Sequence, residues 1–99
     1  MAIRILPSAV ADLEDGREFY ESREAGLGDY FQDCLFSDID SLVLYAGIHR
    51  RVFGFHRLLS QRFPFAIYYR IDTDKGAVVY RVLDCRRDPK RIRSALGHA

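Results

Sequence analysis

The sequence predicts a small α+β fold: a short N-terminal strand, an antiparallel helical hairpin packed on a twisted antiparallel sheet, and a short C-terminal helix. Two observations carry that expectation. Apolar residues recur at helical spacing as far as Ala46, and from Val52 onward the pattern changes to β-branched and aromatic runs. Length adds a third, because 99 residues suffice for one two-layer core and no second one, so residues 1–99 read as a single domain.

Each element has a local reason. "AIRIL" is isoleucine-rich and closes at Pro7, which suits a first strand ended by a breaker. Ser8 is placed to cap the helix that follows. Val10, Leu13, Arg17 and Tyr20 lie near 3.6-residue spacing, flanked by Ala9 and Phe19, while Asp12, Glu14, Asp15, Glu18 and Glu21 form the wet side. Gly16 weakens this helix or admits a close neighbour. After the break "EAGLGD", Leu27, Phe31, Cys34, Leu35, Ile39 and Leu42 predict one long second helix, ended by Gly47. So short a loop forces the two helices antiparallel.

"FGFHRLLS", "RFPFAIYYRID" and "AVVYRVLDC" then read as strands of an antiparallel sheet, with "DTDKG" as the hairpin turn between the last two. Asp88 caps and Pro89 opens the final helix "PKRIRSAL", with Gly97 just past its end.

Composition narrows the function classes. With 48% hydrophobic and 29% charged residues the chain has an ordinary globular balance. No apolar run approaches the ~20 residues of a membrane span, and the N-terminus lacks a signal-peptide pattern, so a cytoplasmic, unprocessed protein without membrane contact is expected. Cys34 and Cys85 stand apart from any paired ligand spacing, which argues for reduced thiols with neither a metal nor a cofactor. His49, His56 and His98 are the candidate acid-base groups, yet none has a spacing that compels a catalytic site.

The net charge of +1 conceals a division. Residues 1–46 hold three Lys+Arg against ten Asp+Glu, a net −7, whereas residues 47–99 hold twelve against four, a net +8. The halves either pair with each other or offer a basic surface to an acidic or phosphate-bearing partner. In "QRFPFAIYYRI" the odd positions Phe63, Phe65, Ile67, Tyr69 and Ile71 form a large apolar face directed at the helices. Arg62, Pro64, Ala66, Tyr68 and Arg70 form the other, an open and basic concavity that Arg57 and Leu59 of the preceding strand and Arg81 of the last one share. Pro64 belongs at the strand's start or at a bulge. Arg86 and Arg87 leave the sheet and continue the charge toward Lys90, Arg91 and Arg93.

These features together resemble the RelE/ParE superfamily of toxins from type II toxin-antitoxin systems, often labelled plasmid-stabilisation proteins. The residues that carry the likeness are "AVADLEDGREFY", "HRLLSQRFPFAIYYRI" and "VYRVLDCRRDP", and it covers nearly the whole chain. It implies a hetero-oligomer with a cognate, ParD-like, DNA-binding antitoxin whose C-terminal segment wraps the toxin. Arg57, Leu59, Arg62, Ala66, Tyr68, Arg70, Arg81, Arg86 and Arg87 are the expected antitoxin- or target-binding residues.

The superfamily has two mechanisms. RelE-like members cut mRNA on the ribosome, and Arg57 and Arg87 match two of their cationic positions. The other matching positions hold Leu59 and Ala66, and no tyrosine stands near the C-terminus. A site that works by stabilising phosphoryl charge loses about 2 to 4 kcal/mol with each such group. No catalytic residue is therefore assigned, and the chain is closer to the ParE branch, which inhibits growth by poisoning DNA gyrase. The alternatives are the ribosome-dependent endoribonuclease, acting through Arg57 and Arg87, and an inactive homologue that still binds an antitoxin.

Overall fold

The computed structural model describes residues 2–74 and 76–97. Its architecture is α+β, with β1 (Ile3–Ile5), α1 (Pro7–Arg23), α2 (Leu27–Asp40), the single turn α3 (Leu42–Tyr45), β2 (Arg51–Val52), β3 (Phe55–Leu59), β4 (Phe65–Asp72), β5 (Gly76–Asp84) and α4 (Pro89–Gly97). The strands form one sheet in the order β1-β5-β4-β3-β2.

The later strands form the expected antiparallel sheet, and β1 adds a parallel edge that makes the whole sheet mixed. Strands β2 to β5 pair antiparallel, but β1 lies parallel to β5 with Ile3 opposite Ala77 and Ile5 opposite Val79. Because β1 enters the sheet beside the last strand, the helices and β2 to β4 form the long crossover that a parallel pair requires.

Pro7 opens α1 instead of ending the strand in a separate turn, since its fixed φ suits a first helical position. Ser8 is not the cap. Leu6 holds that position, and the Ser8 hydroxyl donates to the Tyr80 carbonyl at 2.7 Å. Ala9, Leu13 and Gly16 are the buried positions of α1, while Val10 faces out. A Cβ on Gly16 would stand 2.5 Å from Phe31 Cζ, and one on Gly28 would stand 2.5 Å from the Arg17 carbonyl oxygen. These two glycines let the hairpin close tightly. Glu21, expected on the wet side, folds over the loop and accepts the Gly26 and Gly28 N–H groups at 2.9 Å each, capping α2 from its neighbour.

The second helix is interrupted where the periodicity predicts continuity. Ser41 separates α2 from α3, and its hydroxyl donates back to the Asp38 carbonyl at 2.6 Å, a local bond that competes with the helix ladder. Gly47 then takes φ 96, the left-handed position that ends the segment. Asp74 N–H donates to Asp72 Oδ1 at 2.9 Å in the β4–β5 turn, whose Lys75 lies outside the described residues. Asp88 caps α4 as expected by accepting the Lys90 N–H at 2.9 Å, and Gly97 is its last residue instead of lying beyond it.

Both sheet faces are buried, so the expected open face is corrected. On one side Leu13, Phe31, Leu35, Ile39 and Leu42 of the helices meet Phe65, Ile67, Tyr69, Val79 and Val82. On the other, Phe55, Ala66, Tyr68 and Leu83 are covered by Ile92 and Leu96 of α4. The i, i+4 spacing of those two residues gives an otherwise cationic helix one apolar stripe. Among the described residues no helix is long and apolar enough to cross a membrane.

Candidate functional site

The sequence assigns Arg57, Leu59, Arg62, Pro64, Ala66, Tyr68, Arg70 and Arg81 to one face, and cross-strand pairing brings them together except for Arg62 and Pro64, which precede β4. Arg57 pairs with Tyr68, Tyr68 with Arg81, Leu59 with Ala66 and Ala66 with Leu83. The row from Leu59 through Ala66 to Leu83 is entirely apolar. Ala66 is fully buried and Tyr68 nearly so, which removes both from the surface while α4 is in place. Leu59 stays half exposed at the β3 end that β2 does not cover.

A β-bulge shapes the rest of this face. Tyr69 pairs with Val79 and Tyr68 with Arg81, so Tyr80 has no partner on β4, and the doubled position turns both Tyr80 and Arg81 toward α4. Arg81 is not free to meet a partner. Its Nε and Nη2 donate to the Asp12 carboxylate at 2.7 and 2.8 Å, and its Nη1 reaches the Ala95 carbonyl at 3.3 Å. Asp12, assigned to the wet side of α1, also accepts the Val82 N–H at 2.9 Å. The physical reason is an edge: β1 ends at Ile5, and beyond it the outer side of β5 is satisfied by Ser8 and Asp12 of α1. The carboxylate bond holds Arg81 above the usual arginine range.

Arg57 is half-buried beside Tyr68 and Cys85. Burial pushes the Tyr68 phenol up, with Arg57 opposing, and the same two effects act on the Cys85 thiol. Arg70 lies exposed at the other end of the face, its guanidinium 4.0 Å above the Phe55 ring and 5.3 Å from that of Tyr80.

The remaining basic residues lie elsewhere. Arg86 clasps Asp84, donating from Nε at 3.0 Å and from Nη2 at 2.7 Å, and the bond to Arg86 holds the Asp84 carboxyl below the usual range. Arg87 lines a small cleft with Asp12, Asp15, Phe19, Phe65 and Val82, on the hairpin side of the sheet. Arg62 is exposed in the loop before β4 and borders a cleft with Asp33 and Asp38 of α2. The acidic and basic halves of the sequence therefore do meet, through the Asp12–Arg81 ion pair, whereas the pairs Arg17–Asp29 and Arg86–Asp84 each lie within one half. Of the histidines, His49 and His56 join Tyr69, whereas His98 lies outside the described residues. Among those residues no group of three His, Cys, Asp or Glu side chains converges as metal ligands.

Comparison with known proteins places this arrangement. The family model described as "ParE toxin of type II toxin-antitoxin system, parDE" matches residues 3–89. The chain belongs to the ParE toxin family. It is accordingly a toxin of a type II toxin-antitoxin system, a class defined by pairing with an antitoxin. A solved structure described as a chromosomal ParDE toxin-antitoxin system from P. aeruginosa shares the ParE-like fold, with a TM-score of 0.69 and 21% identity over 83% of this chain and 92% of that one. No curated protein sequence matches.

Sequence reasoning missed Asp12 as a partner of Arg81, and it missed Phe53 and Leu96, which border a cleft together with Arg93 of the basic run. The i, i+4 pair Ile92 and Leu96 was the signal that α4 returns to the sheet. No periodicity marks Asp12, because its partner is set by where β1 stops.

Proposed function

We propose that this ParE-family toxin arrests growth by poisoning DNA gyrase through a protein contact, and that a ParD-like, DNA-binding antitoxin neutralises it. One observation carries this reading against mRNA cleavage: Arg57 faces α4 while Arg87 borders the helical hairpin, so the two cations of the nuclease alternative lie on opposite sides of the sheet. A phosphoryl-transfer site works by converging charge on one phosphate. The apolar row through Leu59, Ala66 and Leu83 supports the same reading, since Leu59 and Ala66 stand where the nuclease branch carries further cations. Arg57, Arg62, Arg70, Arg86 and Arg87 remain the cations offered to the antitoxin or target.

Inducible expression in bacteria tests the proposal, following growth, the DNA-damage response and translation rate together. Filamentation with DNA damage under continuing translation is expected, with inhibition of purified gyrase by the purified toxin. Immediate translation arrest with intact DNA, abolished by Arg87→Ala, would transfer the assignment to ribosome-dependent cleavage.

A further inference from the structure

The cleft between the β2–β3 turn and α4 has an open volume of about 420 Å³ and is lined by Phe53, Phe55, Arg70, Arg93, Leu96 and Gly97. We propose that it is a docking groove for an acidic peptide segment that also carries an apolar side chain, supplied by the antitoxin. The proposal rests on the toxin-antitoxin assignment and is independent of what the toxin poisons.

Charge is the first argument. The ion pairs among the described residues engage Arg17, Arg81 and Arg86, whereas Arg70 and Arg93 have no carboxylate within salt-bridge distance there. Both guanidiniums are nevertheless held. Arg70 donates from Nε to the Gly54 carbonyl at 3.3 Å and lies over Phe55, and Arg93 lies 5.8 Å above the Phe53 ring. A guanidinium fixed against an aromatic face keeps its edge free for two parallel bonds to a carboxylate, at little cost in side-chain order.

The turn is the second argument. Phe53 has φ 55 and Gly54 φ 83, two left-handed positions in the two-residue connection between β2 and β3. Glycine, asparagine or aspartate suits the first of these, and a bulky aromatic there is strained. The strain presents a ring that is 45% exposed as the wall facing α4.

Chemistry favours a peptide over a nucleic acid. Phe55 is buried under the Arg70 guanidinium, which leaves Phe53 as the exposed ring of the groove, and one ring with two cations does not make the stacked row that tracks a phosphate backbone. Two arginines that share a cleft with Phe53, Phe55 and Leu96 fit alternating carboxylate and leucine-like side chains. Residues 90–97 of this groove lie beyond the segment the family model matches.

The test uses the full chain, isotopically labelled and followed by amide chemical shifts. The probe is a capped six-residue peptide alternating glutamate and leucine, with its glutamine counterpart as control. Saturable shifts at Gly54, Phe55 and Leu96 are expected from the glutamate peptide, with binding about tenfold weaker for the glutamine peptide and about tenfold weaker for Arg70→Gln or Arg93→Gln. Phe53→Gly relieves the backbone strain, so it should fold at least as well as the parent and still weaken binding. Equal affinity for the two peptides, shifts confined to other surfaces, or no saturation at ~5 mM peptide would overturn the proposal. So would a ten-nucleotide single strand that perturbs the same amides more tightly than the glutamate peptide. Gyrase takes no part in this assay, so its failure leaves the growth-arrest reading untouched, and the converse holds.

Discussion

On its hairpin side the sheet meets two helices of 17 and 14 residues, whereas on the other it meets a single helix of nine. The hairpin side is closed by aromatic rings in mutual contact: Phe31 packs against Tyr20, Phe63 and Phe65 at centroid distances of 4.9 to 5.1 Å. The α4 side has fewer rings and many cations, and its apolar core is bordered by Arg57, Arg70 and Arg81. Dense interlocking closes the hairpin side of the sheet, and only its outer surface, with Arg62, Arg87 and the exposed rings of Phe19, Tyr30 and Phe36, can be reached. Thin cover with charge at the margin supplies groups that can be reached. The two faces thus differ in how tightly they are packed and in how much charge borders them.

The largest expected effect attacks the hairpin face. Phe31→Ala should cost about 3 to 5 kcal/mol, because the ring is fully buried and the glycine-tight helix crossing cannot collapse around the cavity. Urea denaturation measures it, and a loss below ~1 kcal/mol would show that this face is softer than its packing implies.

Next comes the junction between the faces. Asp12→Ala leaves Arg81, whose side chain is 20% exposed, without its carboxylate and strips the Val82 N–H of its acceptor. A loss of about 3 kcal/mol is expected. Adding Arg81→Met should return part of it, and a double-mutant cycle reads the coupling. Purely additive losses would mean that the pair does not act as a unit.

The α4 face should respond less and more locally. Leu96→Ala should cost about 2 kcal/mol, with faster amide exchange concentrated in α4 while the hairpin stays protected. Uniform loss of protection would make the two faces a single cooperative unit and remove the contrast.

The same contrast explains what could be read from the sequence. Alternation in Phe65 to Tyr69 gave the hairpin face correctly, since Phe65, Ile67 and Tyr69 do face the helices. It could not show that Ala66 and Tyr68 would be covered as well, because a small residue and a tyrosine suit either a wet face or a thinly covered one. Helical spacing located α1 and α2, yet Val10 and Asp12 exchanged their expected roles, one exposed and one bonded into the sheet edge. The parallel placement of β1 left no local trace, being decided by which edge of the sheet stays open. The Arg57, Tyr68 and Arg81 row was legible from strand period, but the bulge at Tyr80 and the capture of Arg81 were not.

The smallest expected effect concerns a polar contact under the edge of the hairpin face. The Tyr69 ring is fully buried, its hydroxyl accepts the Gly47 N–H at 2.9 Å, and it meets His49 Nδ1 in a short bond. His56 Nδ1 donates to the His49 carbonyl at 2.8 Å, and its ring stacks on Tyr69. With His49 neutral, its Nδ1 accepts the phenol proton; protonation would turn that acceptor into a donor and orphan the phenol. Burial, and secondarily the nearby His56, accordingly hold His49 below its ordinary value of 6.5. A base with a lowered folded pKa binds fewer protons in the native state than in the unfolded one. Its contribution is therefore complete above pH 6.5 and is lost as pH falls from there through the folded pKa. Denaturation midpoints at about pH 7.5 and about pH 5 should differ in that direction. His49→Gln keeps an acceptor for the phenol without titrating, so it should flatten this part of the profile. An unchanged slope in the variant would assign the pH dependence to other groups and leave the contact a static tie between Gly47 and the sheet.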